Sequence, residues 1–348
     1  MTHEFKAIVA AYTSSQSQGN KAVLATVVSV DGSSYRGAGV RMLLFENTQI
    51  FGAISGGCVE KEVLRESQSV FKTGRAKVMT YDGRFRLGCE GTLYVLLEPF
   101  EPEQAALDHW QACFAHREAF RIESKFDRNS ETEASMGSTV HFENGTSFSM
   151  TETEQLVESS LDSFQEVLPP CFHLIVVGGE HDAIKLSEMG ADMGWEITVI
   201  CGARSTRLPE EYAETVQVQF IEPEDLVFPH IDVQTAVVLM THNFAKDLRY
   251  LKVFKDSLPL YIGLLGPSKR KEQLLNAFIE YDPEVSLDFM DRVYGPAGLH
   301  LAAETPAEIA LSILSEILVV QRGTTAIHLQ DKKGGIHNRK PQQNQVLK

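Results

Sequence analysis

Between Phe172 and Leu264 four apolar runs recur with amphipathic stretches between them: Phe172 to Val177, Glu196 to Ile200, Ala236 to Met240 and Leu260 to Leu264. Strands apolar on both faces and separated by helix-length segments pair side by side in one direction, because each crossover helix returns the chain to the same sheet end. The second half is therefore expected to be an open parallel sheet covered by helices. Its clearest helix starts at Thr305-Pro306-Ala307-Glu308, where Thr caps, Pro suits the first turn and Glu closes a capping box. Its apolar face is read as Ile309, Ile313, Leu314, Ile317 and Leu318.

Before Pro169-Pro170 the pattern differs. A helix over residues 5–19 precedes strands at Ala22 to Val30, Arg41 to Phe45, Gln49 to Ile54, Lys77 to Tyr81 and Thr92 to Glu98, with a helix from Val59 to Thr73. Thr139 to Phe142 and Thr146 to Met150 flank Asn144-Gly145, a strong hairpin-turn signal. This half reads as an α+β domain. The paired prolines exclude helix and mark the boundary, giving an α/β protein with domains at 1–168 and 169–325 and a tail at 326–348.

The 348 residues suit two domains, and 43% hydrophobic with 23% charged residues describe a globular chain. The net charge of -15 repels polyanions, so nucleic acid is not an expected partner. The start MTHEFKAIVAAY lacks the marks of a targeting segment, and no window offers about 18 uninterrupted apolar residues for a membrane span, so the cytosol is the expected compartment. Five cysteines without C-x-x-C spacing suggest neither a disulfide framework nor a structural zinc site.

Three segments of the first domain carry chemistry. Asp31 to Met42 is rich in Gly and Ser and holds Arg36 and Arg41, a combination that suits a phosphate because glycine lets amides approach it and guanidinium matches its oxygens. Ser55-Gly56-Gly57-Cys58-Val59-Glu60 places two glycines between a strand and a helix, with a thiol, a soft metal ligand, in the first turn. Gly88-Cys89-Glu90-Gly91 sets a second cysteine in a turn beside Arg84 and Arg86.

In the second domain Val177-Gly178-Gly179-Glu180-His181 resembles the opening of a dinucleotide-binding, Rossmann-like fold, with Glu180 at the second glycine of G-x-G and Cys201 where a ribose-binding acid is expected. Thr241-His242-Asn243 through Asp247 and Gly266-Pro267-Ser268-Lys269-Arg270 follow later strands and offer donors at the carboxyl edge, where such sheets bind ligands.

The order of these segments resembles the XdhC/CoxI family of molybdenum cofactor accessory proteins. The likeness rests on Gly32 to Met42, Ser55 to Glu60, Gly88 to Gly91, Met240-Thr241-His242, Tyr261 to Gly266 and Pro296-Ala297-Gly298-Leu299 through Ser315-Glu316. It departs where Tyr35 precedes Arg36 in place of proline, and at Glu90, Glu180 and Cys201. The resemblance implies an N-terminal domain joined to a Rossmann-like one, in a homodimer that receives molybdenum cofactor (molybdopterin) and delivers it to an apo xanthine dehydrogenase-type enzyme. It also implies a link to cofactor sulfuration by a cysteine desulfurase or sulfurase, and names Cys58 and Cys89 as the thiols nearest the metal. The expected product is a binding protein that seats cofactor between its domains. The alternative is an NAD(P)-dependent oxidoreductase with a degenerate Rossmann domain, and a third is a scaffold that docks partner proteins.

Overall fold

The computed structural model describes residues 2–16, 19–32, 34–83, 91–128, 136–151, 161–228 and 230–333. The chain divides into two compact units, Met1–Pro170 with Ile327–Lys348, and Cys171–Ala326.

Unit 1 contains α1 (Thr2–Gln16), β1 (Ala22–Asp31), β2 (Arg41–Phe45), β3 (Ile50–Gly52), α2 (Cys58–Thr73), β4 (Lys77–Asp82), β5 (Thr92–Pro99), α3 (Gln104–His116), β6 (Phe120–Phe126), β7 (Gly137–Phe142), β8 (Ser147–Ser149) and β9 (Asp162–Leu168). One antiparallel sheet runs β3-β2-β1-β5-β4 and a second runs β8-β7-β6-β9. Alternate residues of β1 serve different cores, as strand geometry requires. Ala22 and Leu24 join α1, α3 and the second sheet, while Val23, Ala25 and Val27 pack with Val59, Val63 and Val70 of α2. The third strand is shorter than the sequence suggests, because Gly52 at φ 82 ends it and its three residues are exposed. The Asn144-Gly145 hairpin closes with a three-residue loop, Gly145 at φ 85 donating to Phe142 O at 3.0 Å.

A polar seam runs between the two sheets. Glu98 is fully buried and accepts from Ser138 N at 2.7 Å and Ser138 Oγ at 2.6 Å; Ser138 Oγ in turn meets Ser124 Oγ at 2.7 Å. Burial raises the Glu98 carboxyl from the usual 4.5 to about 7, against the opposing pull of the Ser138 donors and of Arg41. The folded state thus holds this proton more tightly than the unfolded chain, so this group's contribution to stability is fully present below about 4.5 and is lost as the pH climbs through about 7. Glu98→Gln should flatten the stability profile across that window by on the order of 3 kcal/mol. Urea titrations of both proteins at several pH values between 4.5 and 8 measure it; parallel profiles would refute it.

Unit 2 contains β10 (His173–Val177), α4 (His181–Asp192), β11 (Glu196–Cys201), β12 (Val216–Phe220), β13 (Thr235–Leu239), α5 (Phe244–Val253), β14 (Tyr261–Leu264), α6 (Ser268–Tyr281), α7 (Leu287–Asp291), β15 (Val293–Tyr294) and α8 (Pro306–Arg322). Its sheet is parallel with order β12-β11-β10-β13-β14-β15, so the winding reverses between β10 and β13. This is the Rossmann-like order. Leu174, Val176, Val199 and Val238 face α4 and α8, whereas Ile175, Val177, Ile200 and Leu239 face α5, α6 and α7. The helix α8 has the expected capping box, Glu308 N to Thr305 Oγ1 and Thr305 N to Glu308 Oε2, and buries Ala310, Ile313, Leu314 and Ile317; Ile309 and Leu318 lie at the margin of that face.

The Pro296-Ala297-Gly298-Leu299 segment is clamped onto α8. Gly298 N and Tyr261 OH both donate to Glu316 Oε2, at 2.8 and 2.6 Å, and Ser312 Oγ donates to Leu299 O at 2.6 Å. Gly298 has φ 110, and a Cβ there would lie 2.3 Å from Ser312 Oγ. The resemblance at these positions therefore has a packing cause. Among the described residues no helix is long and apolar enough to cross a membrane.

Candidate functional site

In unit 1 the sequence-predicted loop and thiol turn lie side by side. Arg36 reaches out of the 31–41 loop, its Nη1 donating to Ala53 O and its Nη2 to Glu4 Oε1 of α1, both at 2.6 Å. Ala53 leads directly into Ser55, Gly56, Gly57 and Cys58. Glu60, in the first turn of α2, does not face outward with one oxygen. Its Oε1 accepts from Ile54 N at 3.1 Å and Ser55 N at 2.6 Å, holding the turn against the helix. Gly57, at φ 78, caps the helix, and Cys58 N donates to Gly56 O at 3.0 Å. A Cβ on Gly56 or Gly57 would meet nothing within 4 Å, so the turn has open space above it.

Cys58 is exposed at that turn, whereas Cys113, Cys171 and Cys201 are buried. Burial, with Glu118 nearby, pushes the Cys113 thiol up to about 11, and burial also raises Cys201. Those two thiols are held protonated and shielded, which makes them poor soft-metal ligands. Gly88 and Cys89 lie outside the described residues. No group of three or more metal-ligating side chains stands together among the described residues.

Arg41 is placed differently from Arg36. It is only 3% exposed, and Nη1 donates to Gly39 O at 3.0 Å and Glu166 Oε2 at 2.8 Å. The guanidinium bridges the end of the loop to β9 inside the unit and is not presented to an external anion. A Cβ on Gly39 would lie 2.6 Å from Glu166 Oε2, so glycine is what lets the carboxylate reach the arginine.

In unit 2 the two loops at the reversal point approach closely. A Cβ on Gly178, φ 131, would lie 2.4 Å from Met240 O, and one on Gly179 would lie 2.6 Å from Cys201 Sγ. Both glycines serve backbone and side-chain packing here. His242 Nε2 stands 3.7 Å from Asp182 Oδ2 across the same gap. Glu180 pairs with Arg207 at 2.9 Å, and Arg207 also holds Glu211 at 3.0 Å. One cation thus shares two carboxylates, and the turn keeps an acidic character. Arg207 and Asp182 escape a sequence reading because each gains meaning only through a partner distant in the chain.

Thr241 and Arg270 meet on Asp247, which is buried. Thr241 Oγ1 donates to Asp247 Oδ1 and Arg270 Nη2 to Asp247 Oδ2, both at 2.6 Å. A Cβ on Gly266 would lie 2.6 Å from Arg270 Cδ, so glycine lets the arginine stem fold back. Arg270 is thereby engaged internally, while Ser268 and Lys269 remain exposed at the start of α6.

The pattern described as the XdhC Rossmann domain matches residues 174–317, and that of the XdhC and CoxI family matches residues 15–82. The chain is 26% identical over 331 residues to a Bacillus subtilis (strain 168) protein named as a probable subunit of xanthine dehydrogenase, covering 88% of this chain and 95% of that one. It is 22% identical over 327 residues to "Molybdenum cofactor insertion chaperone PaoD" from Escherichia coli (strain K12), covering 92% and 90%. A crystal structure described as a xanthine dehydrogenase from Bacillus halodurans has the same fold, with a TM-score of 0.73 at 23% identity over 91% of this chain and 96% of that one.

Proposed function

Because the chain belongs to the XdhC/CoxI family, we propose that it binds molybdenum cofactor and inserts it into an apo xanthine dehydrogenase-type enzyme. The observation that carries this reading is Cys58, an exposed thiol at the start of α2 with open space above Gly56 and Gly57. A soft sulfur ligand at an uncrowded turn suits a metal complex that must be held and then released. Arg36, tied to Ala53 O and Glu4, fixes the neighbouring loop. A relative of nearly the same length that is named as a molybdenum cofactor insertion chaperone supports the same reading.

The finer parts of the proposal follow from it. The protein works in the cytosol as a homodimer, and Cys89 is a second thiol near the metal. Sulfuration of the cofactor takes place while it is held, with a cysteine desulfurase or sulfurase as second partner. The protein carries its cargo without turning it over.

Ultrafiltration tests the carrier reading. Purified protein mixed with released cofactor should retain the pterin, detected by fluorescence after oxidation, and Cys58→Ala should retain at least about tenfold less, the loss of one charge-assisted or coordinate contact. Equal loss of pterin with and without protein would sink it. Activation of cofactor-free apo-enzyme should likewise depend on the protein and weaken with Cys58→Ala.

A further inference from the structure

In unit 1 a groove of about 380 Å³ opens between α3 and the turn that follows β7. Asp108, Ala112 and His116 stand four residues apart on one face of α3 and line one wall, as helical periodicity requires. Phe142, the last residue of β7, and Glu143 after it form the facing wall, and Glu118 closes the end beyond the helix. The floor is firm: Phe142 and Cys113 are buried, and the His109 ring is held by its Nδ1, which donates to Ala105 O at 2.8 Å, and by Phe142 and Phe148 at 5.2 and 5.1 Å. A space of this size admits a small molecule.

The charges around it have one sign. Asp108, Glu118 and Glu143 are exposed carboxylates, and no lysine or arginine lines the groove. Asp108 Oδ1 accepts from Gln104 Nε2 at 2.8 Å, and Glu118 Oε2 lies 3.7 Å from Cys113 Sγ. The field of the two glutamates reaches the floor, where, with burial, they push the Cys113 thiol up to about 11. The carbonyl end of α3 adds to it. The amides of Arg117 and Glu118 both go to Cys113 O, so the cap leaves the later carbonyls of the last turn to attract a cation.

The acids also have a spacing. From Asp108 to His116 the helix rises about 12 Å at 1.5 Å per residue, and Glu118 lies beyond. A carboxylate thus stands at one end of the groove and two at the other, with Ala112 and the Phe142 ring between them. A ligand that matches carries a cation at each end of an apolar stem, since methylenes cover apolar surface while charged heads stay at the rim.

We propose that this groove binds a linear aliphatic diamine, one ammonium group held by Asp108, the other by Glu118 and Glu143, and the methylene chain lying over Ala112 and Phe142. The site uses no residue of the thiol turn, and its test involves no molybdenum cofactor. Calorimetric titration of the full chain in low-salt buffer with 1,6-diaminohexane should show sub-millimolar binding. Hexylamine should bind about fivefold or more weakly, the effect of losing one exposed ion pair. Asp108→Asn, or Glu118→Gln combined with Glu143→Gln, should bring the diamine down to the affinity that hexylamine has for the parent. Ala112→Trp fills the groove from an exposed position of α3 without altering its charge, and should abolish binding. Circular dichroism verifies the fold of each variant, and Glu210→Gln, an exposed acid of unit 2, should bind as the parent does.

The assignment is overturned if the diamine does not bind up to millimolar concentration, or if hexylamine binds as tightly. It is equally overturned if Ala112→Trp retains binding, or if Glu210→Gln weakens it as much as Asp108→Asn does. Either result would mean that the diamine is drawn only by the net charge of -15.

Discussion

Gly178→Ala is expected to destabilise unit 2 by at least about 3 kcal/mol, combining backbone strain with a steric clash. Gly178 sits at φ 131, and an added Cβ would lie 2.4 Å from the carbonyl oxygen of Met240. That oxygen belongs to backbone and cannot rotate away. The neighbouring bonds, Met240 N to Val177 O at 2.8 Å and Gly178 N to Ile200 O at 2.9 Å, fix both loops where β10 and β13 diverge. The chain has two tryptophans, Trp110 in unit 1 and Trp195 in unit 2, where Trp195 packs on Phe172. In a Trp110→Phe background the urea transition reported by Trp195 should move to lower concentration. Gly56→Ala, where added bulk meets nothing within 4 Å and φ is not positive, should change stability by less than about 1 kcal/mol. Equal effects from the two alanines would defeat this account of Gly178.

The second large effect concerns Arg41. Removing it by Arg41→Ala leaves Glu166 without its 2.8 Å partner and withdraws the positive charge that acts on buried Glu98. Breaking a fully buried ion pair from one side costs about 3–5 kcal/mol, and because the Glu166 side chain keeps 16% exposure the loss here should fall near or below the lower end of that range. Arg41→Met should cost less, because its side chain still fills space beside the Phe5 ring, 5.7 Å from the guanidinium carbon. The native arginine is itself imperfectly satisfied: Nε and Nη2, like Thr26 Oγ1 opposite it on β1, have no hydrogen-bond partner among the described residues. Urea unfolding followed through Trp110 in a Trp195→Phe background measures both variants. A loss below about 1 kcal/mol for Arg41→Ala would mean that the bridge contributes little.

The parallel strands of unit 2 were legible because burial on both faces demands continuous apolar runs such as Leu174-Ile175-Val176-Val177. Edge strands are harder to read. In β12, V-Q-V-Q-F alternates with polar residues, so no continuous apolar run marks it. The acidic segment after Met150 likewise conceals β9, whose alternate residues are exposed although it pairs along β6. The thiol turn was readable from Gly56-Gly57-Cys58, since two glycines before a helix mark a special backbone. The inward direction of Arg41 was not. Arg41-Met42-Leu43-Leu44-Phe45 is buried on both faces, so neither face marks where a charge would meet water, and only the reach of Glu166 shows why an arginine is held inside.

Arg36 has a consequence for how this protein is handled in the laboratory. Through one guanidinium, Glu4 in the opening turn of α1 is tied to the backbone that leads into the thiol turn. Trimming that removes Glu4 would cut a strut of that turn, so binding assays call for protein in which this residue is intact.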